Sequence, residues 1–197
     1  MKVSLFSNGM DHLLRKTTLS FNRDSDFSDS DVILILSAKE DKAVSALLES
    51  FINEGTSAAL TIELVQTAPE KLSDALDSVI TSDERHMPKA FSDLLSMLDY
   101  YNYINSVDVG YELSDRGFLL YKELLASTFA EALSEVSSAL SGSDKAILFI
   151  KAPEDVWISD IDAFASALSE NTYDTDISVF AVRSDTPLSF SLFINKK

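Results

Sequence analysis

"DVILILSAKEDKAVSALLESF", Asp31 to Phe51, is the stretch whose reading decides the fold. Val32 to Leu36 is an apolar run suited to a central parallel strand covered on both faces. A short polar turn follows. Ala43, Leu47, Leu48 and Phe51 then recur at helical spacing, with Gly55 as a stop signal. The stretch reads as a buried strand feeding a helix. In open α/β sheets ligands sit at that junction, beyond the carboxyl end of the strand. A phosphate held there needs a glycine-rich turn and free N–H groups at the helix start. Ser37 to Ala43 contains no glycine.

Working outward, "KVSLFS" (Lys2 to Ser7) predicts a first strand and Met10 to Lys16 a short helix, with "DSDFSDSD" (Asp24 to Asp31) as a loop. "ALTIELV" (Ala59 to Val65) predicts a strand. Ala68-Pro69-Glu70 predicts the start of a helix with Pro in its first turn and Leu72, Leu76 and Val79 as its stripe. "SVITS" predicts a short strand. Phe91, Leu94, Leu95, Leu98, Tyr101 and Ile104 form a long stripe that predicts a helix over Lys89 to Asn105. After Gly110 and Gly117, "FLLYK" predicts a strand. Leu125, Phe129, Leu133, Val136 and Leu140 predict a helix closed by Gly142. The tail predicts a strand at Lys145 to Lys151, a helix at Ile158 to Glu170 and a strand at Asp176 to Val182. "LSFSLFIN" (Leu188 to Asn195) alternates strictly and is expected to be the hairpin partner of the strand before it. The class is α/β with an α+β C-terminal part: a small parallel sheet, a long central helix, then a mixed sheet with helices.

With 197 residues, 46% of them hydrophobic, the chain can bury a sizeable core without staples. Cysteine is absent, which excludes disulfides, thiolate metal sites and cysteine nucleophiles. No apolar run is long enough to span a membrane and no signal peptide is evident, so a cytoplasmic location is expected. The formal charge is −16. Binding to nucleic acid relies on basic groups that displace counterions from phosphates, so DNA and RNA are not expected partners.

The candidate sites each have a plain structural reading beside the functional one. His12 and His86 stand far apart, and surface or loop histidines are the commoner case. "DSDFSDSD" has Asp29 where a calcium loop needs glycine and Ile35 where it needs a bidentate acid, so no metal is expected. Asp108 and Asp115 flank Gly110, and isolated acids at such places are more often caps or turn residues than acid–base pairs. Trp157 follows Pro153-Glu154-Asp155; burial against the next helix is the commoner fate, and an interface role the sharper one. Tyr100 and Tyr103 share a helix face suited to a partner.

This order of elements resembles the FtsZ/tubulin family. Most of the likeness lies in the C-terminal half. From Asp144 on, Ala146 to Ile150, Ile177 to Ala181 and Phe190 to Ile194 occupy the places of that family's C-terminal strands, of the types "G-V-L-x-N-I" and "R-V-T-V-I-A". "EKLSDALDSVITSDER" (Glu70 to Arg85) is similar to the helix and strand ending in "D-S-L-I-x-I-P-N-D". Asp31 to Val65 matches the strand–helix–strand around the signature loop. The resemblance implies a reduced nucleotide-domain-like α/β part over residues 1–88, a central helix and loop over 89–110, and an FtsZ C-terminal-like α+β domain over 111–197. The first 30 residues would be a shortened remnant.

The family's chemistry is then tested at its own positions. Its signature loop, "G-G-G-T-G-[ST]-G", brings bare backbone to nucleotide phosphates. Here Ala38, Lys39, Glu40, Asp41 and Lys42 fill that place, adding bulk and two carboxylates. Its catalytic loop reads "N-x-D-x-x-D"; this chain keeps Asp108 but has Tyr111 where the second acid belongs. The resemblance thus implies a degenerate member with no cofactor and no GTPase activity, acting through protein contacts with a filament of its relatives or with itself. Such a protein would cap or regulate cytoskeletal or cell-division filaments. Asp108, Tyr111, Trp157, Tyr100 and Tyr103 are its candidate contact residues. The alternative is a small α/β enzyme or ligand-binding protein whose site uses Asp108, Asp83 or Glu40.

Overall fold

A computed structural model describes residues 3–8, 10, 27, 30–37, 42–55, 58, 60–98, 112–114 and 117–195. Among them are eight strands and four helices, and the chain divides into two compact units. None of the described helices is long and apolar enough to cross a membrane.

The first unit comprises residues 1–91 and 113–119. Its strands are β1 (Val3–Asn8), β2 (Val32–Ser37), β3 (Leu60–Val65) and β4 (Ser78–Thr81). They pair in chain order and all in parallel, with Asn8 beside Ser37, Ser37 beside Val65, and Val65 beside Thr81. Every residue of β2, β3 and β4 is buried, as an apolar central strand requires. Helix α1 (Lys42–Glu54) follows β2 and buries Val44, Leu48 and Phe51. They pack with Ile33, Ile35, Val65 and Val79, and the Phe51 ring meets Phe27 edge to face at 5.3 Å. Each such apolar side chain contributes roughly 1.5–3 kcal/mol when fully buried. The stripe is rotated from the predicted one: Val44 faces the core and Ala43 faces solvent. Gly55 ends the helix at φ 66°, the left-handed conformation that glycine reaches without strain.

The helix expected after Pro69 does not form. Residues 66–77 are turns and irregular backbone, and Val79 belongs to β4. The segment's hydrogen bonds include local ones and bonds to β3, where the Asp77 N–H donates to the Thr61 carbonyl. Ser73 Oγ accepts the Ala75 N–H, and Asp77 Oδ2 accepts the Thr61 N–H at 2.7 Å, tying the segment to β3 instead. Ile35, the calcium-loop position, is a fully buried residue of β2.

The second unit comprises residues 92–112 and 120–197. Helix α2 (Met87–Leu98) starts in the first residue set and ends in this one. It buries Phe91, Leu94, Leu95 and Leu98, as its stripe predicts; the rest of the expected helix to Asn105 lies outside the described residues. Strand β5 (Gly117–Glu123) likewise passes from one set to the other. Then come α3 (Phe129–Ala139), β6 (Lys145–Ala152), α4 (Ile158–Asn171), β7 (Asp176–Arg183) and β8 (Ser189–Asn195). Strand β6 is parallel to β7, a pairing that needs the crossover that α4 supplies. Strand β8 is antiparallel to β6, with Ala146 opposite Ile194 and Ile150 opposite Phe190. The hairpin expected between β7 and β8 is therefore corrected. Phe190, Leu192 and Ile194 join one core cluster, while Ser191 and Phe193 are buried against other groups, so β8 is an interior strand and not a half-exposed edge.

Helix α3 begins at Phe129 and not at Leu125, which is 90% exposed. Thr128 Oγ1 accepts the Glu131 N–H, and Glu131 reaches back to accept from the Ser127 N–H and hydroxyl at 2.9 Å. This reciprocal cap fixes the start of the helix. The two donors at Ser127 hold the Glu131 carboxyl below the usual range.

Candidate functional site

The carboxyl ends of β1 to β4 lie together at Asn8, Ser37, Val65 and Thr81, where the strand-to-helix junction of the opening stretch emerges. The junction itself, with Ala38, Lys39, Glu40 and Asp41, lies outside the described residues; Lys42 is the exposed first residue of α1. The first turn of α1 carries no acid, and its core stripe holds it on the sheet.

Two residues short of the end of β3 stands Glu63, an acid in an otherwise apolar run. Its residue is 5% exposed. Ser37, the last residue of β2 and fully buried, donates its hydroxyl to Glu63 Oε1 at 2.6 Å. A buried carboxylate needs such donors, because desolvation of its charge is costly. Between α1 and the 66–77 segment a cavity of about 190 Å³ is lined by Val44, Leu48, Glu49, Glu63, Pro69 and Lys71, among others. Small-molecule sites usually span roughly 300–1,000 Å³. The cavity is small, and its lining carries two acidic side chains, Glu49 and Glu63, and one basic one, Lys71.

A second polar cluster lies within the second unit. Asp93 on α2 is fully buried. Lys151 Nζ pairs with its Oδ1 at 2.8 Å, while Tyr121 and Ser191 donate to its Oδ2 at 2.7 and 2.6 Å. Lys151 also donates to Ser92 Oγ at 3.3 Å and stands 5.7 Å from the centre of the Phe149 ring. Burial, and then the Asp93 charge, push the Tyr121 hydroxyl far above its ordinary value. The phenol stays protonated and acts as a hydrogen-bond donor to Asp93. The cluster's chemistry is that of an anchor, tying the second half of α2 to β5, β6 and β8.

The remaining sequence candidates divide in two. Asp108, Tyr111, Tyr100 and Tyr103 lie outside the described residues. Trp157 is described: it precedes α4, its N–H donates to Asp160 Oδ2 at 2.9 Å, and its residue is 71% exposed and not packed against the helix. Asp83, named for the rival enzyme reading, is exposed and accepts from the His86 N–H and imidazole at 2.8–2.9 Å just before α2. Those bonds hold its carboxyl below the usual range. Its role is that of a turn residue. Among the described residues no group of three potential metal ligands converges.

Sequence reading missed Glu63 and Asp93. The signal was present in both cases: one acid inside "LTIELV" and one inside the apolar stripe of α2. A charge at a core position implies partners, but not which ones.

No protein-family model matches the sequence, and no curated protein matches it. Solved structures do match in shape. A tryptophan-to-tyrosine mutant of FtsZ from M. jannaschii superposes with TM-score 0.61 at 17% identity over 85% of this chain, and the empty FtsZ dimer of that organism with 0.60 at 15% over 86%. The GTPγS-form protofilament of TubZ from Bacillus thuringiensis serovar israelensis gives 0.52 at 11% over 84%. The alignments span 66%, 64% and 60% of those chains. The chain is similar in fold to FtsZ and TubZ.

Proposed function

We propose that this is a non-catalytic FtsZ/tubulin-like protein that works through protein contacts and modulates filaments built by nucleotide-binding relatives. The observation that carries the reading is the end of the β2–β3 pair. There Glu63, which accepts the Ser37 hydroxyl, borders the small cavity beside α1. The junction's own sequence, Ala38-Lys39-Glu40-Asp41-Lys42, adds two acids and removes every glycine. A triphosphate approaching bare backbone would meet side chains and like charge. Tyr111, in the place of the second acid of the catalytic loop, supports the loss of hydrolysis as well.

The likeness to TubZ, a structure solved as a protofilament, supports the expectation that the fold's stacking surfaces are used. A subunit without a working nucleotide site would engage such a stack at one end and act as a cap. The cysteine-free chain fits a reducing cytoplasm.

The test is sedimentation of a polymerising FtsZ with and without this protein. The reading expects it to change the pelleted fraction at substoichiometric ratios. An unchanged pellet across all ratios overturns the filament role.

A further inference from the structure

Within the second unit, α3 and α4 border an open groove of about 540 Å³. Phe129, Leu133, Val156, Phe164 and Leu188 give it an apolar lining. The Phe129 and Phe164 rings lie 5.2 Å apart, with Phe190 within 5.8 Å of both, so the floor is a packed aromatic cluster. Near the starts of α3 and α4 large side chains stand uncovered: Leu125, two residues before the lining residue Ser127, at 90% exposure, Trp157, next to the lining residue Val156, at 71%, and Ile158 at 50%. Together with the apolar lining, uncovered side chains of this size are the kind of surface that partners use.

Charge identifies the occupant. The one charged side chain in the lining is Asp160. Neither α3 nor α4 contains a lysine or arginine, while between them they carry Glu131, Glu135, Asp160, Asp162 and Glu170. Glu154 and Asp155 stand exposed just before Val156. Arg183 is held by the Pro153 and Val156 carbonyl oxygens at 2.8 and 2.6 Å. An apolar trough with an acidic surround is complementary to an amphipathic helix with cationic flanks.

We propose that this groove docks an amphipathic helix of a partner protein, with apolar anchors at i, i+3, i+4 and i+7 and lysines or arginines flanking them. The assignment names the partner chemistry for the protein-contact reading above and rests on that reading. The apolar lining takes the anchored stripe, and the acids steer its approach.

Trp157 is the only tryptophan of the chain and follows the lining residue Val156, so its emission is a probe beside this site. The full chain is titrated with a synthetic basic amphipathic peptide, with a scrambled peptide of the same composition, and with an acidic counterpart. Expected are a saturable blue shift with the first peptide alone, and affinity at least about tenfold weaker in Leu133→Ala, a change in the groove lining. The double variant Glu154→Gln/Asp155→Asn is expected to slow association and flatten its salt dependence. Equal binding of the scrambled peptide, or no shift with any peptide, overturns the proposal. So does a blue shift that grows with protein concentration alone, since the occupant would then be a second copy. Sedimentation with FtsZ is scored separately. A protein that alters filaments without a peptide-induced shift refutes the groove and leaves the contact reading standing, whereas an unaltered pellet beside a clear shift does the reverse.

Discussion

Asp93→Asn should destabilise this protein severely, although it removes no volume. Asp93 is fully buried and receives Lys151, Tyr121 and Ser191 within 2.6–2.8 Å. The amide keeps one acceptor oxygen but loses the charge and turns its other end into a donor. Lys151, with 13% of its side chain exposed, then has no anion in reach of that geometry. One of the two hydroxyls faces an N–H₂ group instead of an oxygen. Removing one member of a buried ion pair costs about 3–5 kcal/mol. Partial exposure of Lys151 relieves some of this, and the misdirected hydroxyl adds about 1–3 kcal/mol. The net expectation is about 3–5 kcal/mol, a large part of the roughly 5–15 kcal/mol typical of a domain. In a chain of this length that is a fall of roughly 6–20 °C in melting temperature. Urea unfolding followed by far-UV circular dichroism, with Lys151→Met and the double variant beside it, reads the effect. Lys151→Met keeps its packing on Phe149, so the double variant should cost clearly less than the sum of the singles. A loss under about 1 kcal/mol for Asp93→Asn, or strict additivity, would refute the claim that these groups act as one anchor.

The other predictions are smaller. Thr128→Ala removes the cap of α3 and should cost about 1 kcal/mol in the same assay. Gly55→Ala forces a β-carbon into a backbone at φ 66° and should cost about 1 kcal/mol, although nothing lies within 4 Å to clash. Asp83 has a lowered carboxyl in the folded state, so its contribution is complete above the ordinary value of 3.8 and is lost as pH falls through the lowered one. Carbon-detected NMR titration should place its midpoint below 3.8 in the native protein and return it toward 3.8 in His86→Ala, whereas an equal midpoint in both would contradict the His86 contact.

Some of this structure was legible in the residues and some was not. β2 and β6 announce themselves as unbroken apolar runs, and α1, α2 and α4 as stripes, because burial on two faces or one leaves those periods in sequence. Pairing leaves no such mark. "LSFSLFIN" alternates, yet its alternate face is also covered, with Ser191 bonded to Asp93 and the Phe193 ring 5.3 Å from Tyr121. A small polar residue can face a buried charge as readily as solvent, so alternation alone misplaced the strand. Leu72, Leu76 and Val79 have helical spacing, but Ser73 and Asp77 take the backbone bonds elsewhere. At the candidate site the lack of glycine was plain from Ala38 to Lys42. The partner of Glu63 was not, since it sits 26 positions away and meets it only through the β2–β3 register.

The central claim is that this FtsZ-like fold has no working nucleotide site. Titration of fluorescently labelled GTP with magnesium tests it most directly. The account predicts no saturable binding up to about 1 mM, a binding free energy weaker than about −4 kcal/mol, and no phosphate release. A dissociation constant near 1 μM, about −8 kcal/mol, or any turnover abolished by Asp108→Ala, would contradict it.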